Sequence, residues 1–453
     1  MKNNWYMKKK KNFIKLNYMT DKYYKVYIDK KYIGQEPTLF LRDLYSVGLA
    51  FQFLQDAVVC PSYSYYLNGE IVTNKNKSYK VSANTLTNIT FGPFQNKTQT
   101  ERPTSVLIKI CLKCGFVIFK KIYKLPDWNS YTSSSTELNL KLSVTSCIGL
   151  RSAAKKLFTK FREINKERNT DVIICTGDVV YLNFNNLTSE DAVQSEYNAL
   201  KITEEFSGVF VNHVWLCSND DHEYGFNDGQ KGGYNINLLR DTELKNFPLV
   251  SPILPTEYRA NNTNIKNIQF ITLDNVSQRV LNVDSTSDGD RYTSILGESQ
   301  LSFLLNSLNN ARLQAGTIQP VFVISGKTMF GNQSGQTFVY CLKERDIILG
   351  HIKKLGLRNV CFLCGDSHYS DVSEYPASNS SNLIIREIRN SALGQTPRTV
   401  PDTNPYRVPN SFIGGVNNFG TIDITGTGST YKISYKVYTE TGIVYEYSWN
   451  TTY

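Results

Sequence analysis

DVIICTGDVVY, residues 171–181, is the stretch on which the fold turns. From Val172 to Thr176 it is apolar without alternation, the pattern of a strand buried on both faces, and it stops at Gly177-Asp178 with Tyr181 three residues on. Such a strand belongs to a sheet covered by helices, so strands and helices should alternate around it. Upstream, LKLSVTSC (140–147) reads as a strand and RSAAKKLFTKFREINKE (151–167) as a basic amphipathic helix. Downstream, SEDAVQSEYNALKITEEF (189–206) is helix-like and GVFVNHVWLCSNDDHE (208–223) strand-like.

The same rhythm continues. NIQFITLD (267–274) and PVFVIS (320–325) are strands, separated by GESQLSFLLNSLNNAR (297–312), whose Leu301, Leu304, Leu305 and Leu308 share one helical face. TFVYCLKERDIILGHIKKLG (337–356) leads into the strand NVCFLCGD (359–366). LIIREIRN, FGTIDITG, YKISYKVY and IVYEYSW then predict a closing antiparallel run. The amino-terminal part is different. Short β-branched and aromatic segments such as YKVYIDKKYIG and TSVLIKICLKCGFVIFKKIYKL predict a β-rich, sandwich-like domain over 26–127, followed by a polar linker at 128–137 and a helix-and-strand domain over 138–453.

Composition narrows the function. The 453 residues carry a formal net charge of +10 and are 41% hydrophobic, enough for a globular chain of two or three domains. Residues 1–25 hold eight lysines against one aspartate, a basic arm that reads first as a solvated tail and second as a contact for nucleic acid or an anionic membrane. No signal peptide or membrane span is read, and an intracellular or particle-associated protein is expected. Nine cysteines do not suggest a disulfide framework, and the single Cys111/Cys114 pair lacks the second pair of a zinc site.

Chemistry collects at four strand ends: Ser146-Cys147, Gly177-Asp178 with Tyr181, Asp220 to Glu223, and Gly365 to His368. The chain has four histidines, and His222 and His368 both fall there, while His213 and His351 lie outside and read as structural. Asp178, Asp221 and Asp366 at one sheet edge would repel unless a cation neutralised them. With Cys147, Tyr181 and His368 added, the donors suit an unequal pair of metals, one hard and one closer to Fe³⁺. SNDDHEYGFND (218–228) shows the same need in miniature, with four carboxylates inside eleven residues of a basic chain.

These motifs also resemble a known family. Ser146-Cys147, GDVVY (177–181), DDHEYGFND (220–228), TLDNVSQR (272–279), GESQLSFLLNSL (297–308), GDSHYSD (365–371) and NNFGTIDI (417–424) stand in the order seen in PhoD-like metallophosphatases. The resemblance implies a four-layer αββα sandwich of the calcineurin-like superfamily behind a smaller β-rich domain. It also implies hydrolysis of phosphate mono- or diesters by a metal-bound hydroxide at a two-metal centre. Cys147, Asp178, Tyr181 and His368 look like iron ligands, with Asp178 bridging to a second ion, Ca²⁺ foremost and Mn²⁺, Mg²⁺ or Zn²⁺ as alternatives, held also by Asp221 and Asp366. His222 is similar to the histidine that stabilises the transition state or the leaving oxygen. Glu223, Asn227 and Asp228 are expected to support the loop, and Arg279 and Lys327 to contact phosphate. Val276 departs from the arginine usual in the family, and FVISGKTMFG (322–331) has no histidine. That departure keeps open an alternative, a catalytically impaired protein with a binding or structural role.

Overall fold

The computed structural model describes residues 27–33, 38–43, 46–67, 70–83, 86–92, 105–124, 138–149, 154–182, 189–201, 213–225, 229, 231, 235–247, 258–265, 268–313, 320–332, 337–377, 383–427 and 430–451. The arm at 1–25 and the linker at 128–137 lie outside them. The chain divides into two compact units, Met1–Glu36 with Phe51–Pro126, and Pro37–Ala50 with Asp127–Tyr453.

The strands before the linker are β1 (Tyr27–Ile28), β2 (Thr38–Asp43), β3 (Ser46–Gln52), β4 (Ala57–Leu67), β5 (Glu70–Lys75), β6 (Tyr79–Val81), β7 (Leu86–Phe91), β8 (Ser105–Leu112) and β9 (Val117–Lys124). In the first unit an antiparallel sheet runs β1-β9-β8-β4-β5, with β6 also on β4. Val106, Ile108 and Ile110 of β8 are buried while Leu107 and Lys109 between them are not, the period of two that one covered face requires. Phe51 meets Phe119 edge-on at 5.2 Å and Phe91 meets Tyr63 at 6.1 Å, so aromatic rings close this core. Cys111 lies in the last two residues of β8 and Cys114 in the turn after it. The hairpin of β2 and most of β3 groups with the second unit, so the amino-terminal domain expected at 26–127 is interrupted at Pro37–Ala50.

The second unit holds two six-stranded mixed sheets. The first, β12-β11-β10-β21-β22-β23, comprises β10 (Leu138–Thr145), β11 (Val172–Thr176), β12 (Val214–Ser218), β21 (Phe419–Thr427), β22 (Thr430–Thr439) and β23 (Gly442–Thr451). The second, β13-β14-β17-β18-β20-β19, comprises β13 (Asn261–Ile265), β14 (Ile268–Thr272), β17 (Val321–Ser325), β18 (Val360–Cys364), β19 (Asp371–Pro376) and β20 (Ile384–Arg389). A separate ribbon pairs β15 (Val280–Leu281) with β16 (Tyr292–Ser294). Strands β10, β11 and β12 are mutually parallel, as are β14, β17, β18 and β20.

Helices α1 (Lys155–Arg168), α2 (Glu190–Lys201) and α3 (Ile236–Asn246) bury Phe158, Phe161, Val193, Tyr197 and Leu239 against Ile173, Cys175 and Trp215 of the first sheet. Helices α4 (Gly297–Leu313) and α5 (Leu342–Leu355) bury Leu304, Leu308, Ile348 and Ile352 against Ile271, Val323 and Phe362 of the second. Because β11, β12, β14, β17 and β18 are buried at every position, their residues facing away from the helices are covered too, which explains their unbroken apolar runs. A parallel bridge between Asn219 and Asp274 joins the ends of β12 and β14.

The closing strands correct the sequence reading. LIIREIRN does not continue into an antiparallel run: it forms β20, parallel to β18, while β21 turns back onto β10 and the meander β21–β23 extends the first sheet. Among the described residues no helix is long and apolar enough to cross a membrane.

Candidate metal and phosphate site

Parallel strands of both sheets deliver their carboxyl ends to one place, where open α/β sheets put their ligands. Cys147 follows β10, Asp178 follows β11, Asp220 to Glu223 follow β12, Lys327 follows β17, Asp366 and His368 follow β18, and Ser391 follows β20. Cys147, Asp178, Asp366 and His368 all take positive φ, between 49° and 61°, a backbone state that costs a non-glycine residue free energy. Strain at four residues of three strand ends marks a built site.

Asp178 is the hinge of the arrangement. It is 1% exposed, its Oδ2 accepts from Tyr181 Oη at 3.1 Å and stands 3.6 Å from Cys147 Sγ, and its Oδ1 accepts from the His222 backbone N–H at 3.4 Å. The Tyr181 and His222 rings lie 4.1 Å apart. Ser391 Oγ donates to Cys147 Sγ at 3.0 Å and accepts from His368 N at 3.1 Å. His368 Nδ1 lies 2.9 Å from the Thr396 carbonyl, which can only accept, so Nδ1 carries the proton and Nε2 keeps the lone pair that a metal would use. Burial pushes the His368 imidazole below its ordinary range, favouring that neutral form.

Glu223 builds the loop. Asp220 and Glu223 form a reciprocal capping box on the single 3-10 turn Asp221–Tyr224. The Glu223 carboxylate accepts from Asp220 N at 2.8 Å, from Asp178 N at 3.0 Å and from Val179 N, tying the ends of β11 and β12 together. Gly177, at φ 98°, permits that closeness, since a Cβ there would lie 2.6 Å from Asp220 Cβ.

Lys327 is fully buried, with Nζ 2.6 Å from Asp220 Oδ1, 3.0 Å from Asp366 Oδ1 and 3.3 Å from Asp221 Oδ1. Burial alone would lower the lysine, but these three carboxylates outweigh it and hold the ammonium well above its usual range. One ammonium still faces Asp178, Asp220, Asp221, Glu223 and Asp366. Burial, then Asp221 and Glu223, push Asp178 well above the usual carboxylate range, and burial and Asp178 raise Cys147 likewise, as expected of donors that want a further cation.

Two clusters test the fit to metal. Cys147, Asp178 and His368 each offer one donor atom within 4.8 Å of the others, as do Asp178, Asp221 and His222. Thiolate, imidazole and carboxylate with a phenol beside them fit an iron-like ion. The four-carboxylate group of Asp178, Asp220, Asp221 and Asp366 is equally compact, but the Lys327 ammonium lies against three of its members, which does not fit a second metal there.

The remaining expected residues sit as follows. Asn227 and Asp228 lie outside the described residues. Arg279 is wholly buried, donates to the Gly229 carbonyl and lies 5.5 Å over the Tyr292 ring. Val276 is buried in the apolar core of the first sheet and its helices. Asp274 of the same motif is structural, accepting from Val276 N, Ser277 N and Tyr224 Oη, and Gln300 holds its backbone from α4. Sequence reasoning missed Ser391 and Thr396, which no motif flags, and did not assign Asp220 a role. His351 on α5 pairs with Asn309.

The chain has the fold of PhoD. The solved structure of PhoD superposes on 94% of this chain and 93% of its own with a TM-score of 0.67, at 14% sequence identity. GAP50, the anchor in the inner membrane complex of Plasmodium, matches at 13% identity over 70% of this chain and 90% of that one with a TM-score of 0.46, too loose a likeness to carry an argument. No protein-family model and no curated protein matches the sequence.

Proposed function

We propose that the chain is a metal-dependent phosphoesterase, built as a four-layer αββα sandwich behind a β-rich amino-terminal domain. The observation that supports this most is the convergence of Cys147, Asp178 and His368 from the ends of three strands, with Tyr181 donating to Asp178. Cys147, Asp178 and His368 would hold an iron-like ion, which would supply Lewis acidity there. The protein's own groups orient the rest. His222, packed on Tyr181 and tethered by its backbone to Asp178, would protonate the leaving oxygen. Glu223 keeps that loop on Asp178, and the chain's net charge of +10 favours the approach of an anionic ester.

The test is turnover of a chromogenic phosphomonoester and a phosphodiester by wild type and Asp178→Asn, with metal content measured on the same samples. Hydrolysis that is lost in the variant and on chelation supports the reading, and the preferred ester sets the class. Fully metallated protein that turns over neither ester would favour the binding or structural role.

A further inference from the structure

We infer that the Lys327 ammonium is a built-in cation standing in for the second metal ion: it engages Asp221, the acid that the second donor cluster shares with His222, as well as Asp220 and Asp366, so that this centre takes one metal where a two-metal site would take two. The inference rests on the metal-dependent reading above. The ammonium donates to Asp366 Oδ1 at 3.0 Å and Asp221 Oδ1 at 3.3 Å and is ion-paired with Asp220 Oδ1 at 2.6 Å, so three carboxylates share its charge. A divalent ion bound by the same oxygens would need them at about 2.0–2.6 Å from its own centre. It would therefore compete for the locus that Nζ holds, and two cations that close repel strongly in a buried site.

The lysine is fixed there from behind. Asn275 Oδ1 accepts from Gly326 N at 2.8 Å, and Ser325 Oγ, 3.1 Å from the same Oδ1, lies 2.7 Å from the Lys327 carbonyl, its single hydrogen shared between these two acceptors. Gly326 lets the Asp220 carboxylate approach, because a Cβ on it would lie 2.8 Å from that group. The side chain is 0% exposed, so it has no solvent position to retreat to. Asp178, by contrast, makes no ion pair with Lys327; its Oδ2 faces Tyr181 and Cys147, which leaves it to the metal on that side. The consequence is a fixed positive charge among these carboxylates that does not depend on the supply of a second ion.

The test counts metal per chain. Wild type, Lys327→Gln and Lys327→Arg are equilibrated with Mn²⁺ or Ca²⁺, freed of loose ions and assayed for bound metal. Lys327→Gln should hold one equivalent more than wild type and Lys327→Arg the same as wild type. Equal counts in Lys327→Gln and wild type, or two equivalents in wild type, overturn the inference. Should Lys327→Gln fail to fold, the double variant Asp220→Asn with Lys327→Gln removes the pair together and is read by the same difference. A wild-type count of zero speaks against the underlying reading, whereas the difference between variant and wild type decides this one.

Discussion

The hydroxyl of Ser391 donates to the sulfur of Cys147 at 3.0 Å although 244 positions separate the two residues in the chain. The same oxygen accepts from the backbone of His368, so one side chain orients two of the three donors in the thiolate cluster. Removing it should loosen both. For Ser391→Ala the expected outcome is metal affinity lower by about tenfold or more, the usual cost of losing an outer partner of a ligand. A metal titration followed by competition with a chelator measures it. Unchanged affinity would mean that Ser391 serves the fold alone.

Gly326→Ala probes the close approach of Asp220. A Cβ at 2.8 Å from the Asp220 carboxylate carbon must push either that group or the β17 turn aside, and neither is free, since Asp220 also caps the turn at Asp221 through Asp221 N at 2.8 Å. The expected cost is about 1–3 kcal/mol of stability, typical of overpacking a close-packed interior. Urea unfolding of the purified variant gives the number, and a loss below about 0.5 kcal/mol would show that the approach is slack.

How much of this was legible from sequence differs residue by residue. Strands such as Val172–Thr176 and Val360–Cys364 could be read because burial on both faces leaves an uninterrupted apolar run. The strand Asn261–Ile265, NNTNI, could not, because three of its five positions are only partly buried and its side chains are mostly amides. Cys147, Asp178, Asp221, Asp366 and His368 could be singled out because reactive side chains directly followed readable strands. Ser391 and Thr396 could not, since serine and threonine are common and their roles depend on a loop returning from far along the chain. Lys327 was visible as a lysine after a strand, but its partners depend on three-dimensional closure that no local pattern carries.

Glu223→Gln separates charge from shape in the loop. The carboxylate accepts three backbone N–H groups, from Asp178, Val179 and Asp220, and an amide can present only one accepting oxygen. At least one buried N–H is then left facing an NH₂ group, at a cost of about 1–3 kcal/mol. The melting temperature should fall accordingly, and because the lost contacts hold Asp178, metal affinity should fall with it. A variant that melts lower but binds metal as wild type does would confine Glu223 to the fold.

The last prediction concerns acid. Asp402 is buried, which alone would raise its carboxyl, but hydrogen bonds and charge from Arg389, with help from Arg407, carry it below the ordinary carboxylate range. Its pKa is thus lower folded than unfolded, so the stability it contributes is present above the unfolded value of about 4 and is lost as pH falls through the folded one. The stretch at risk is the segment around Asp402, since Arg389 also grips Asp371 at 2.6 Å and Ser367 Oγ at 3.3 Å beside His368. In Asp402→Asn this part of the acid dependence disappears. Unfolding free energies measured from pH 6 down to pH 3 should therefore fall more steeply for wild type than for Asp402→Asn, and parallel curves would show that the pair with Arg389 carries no net stabilisation.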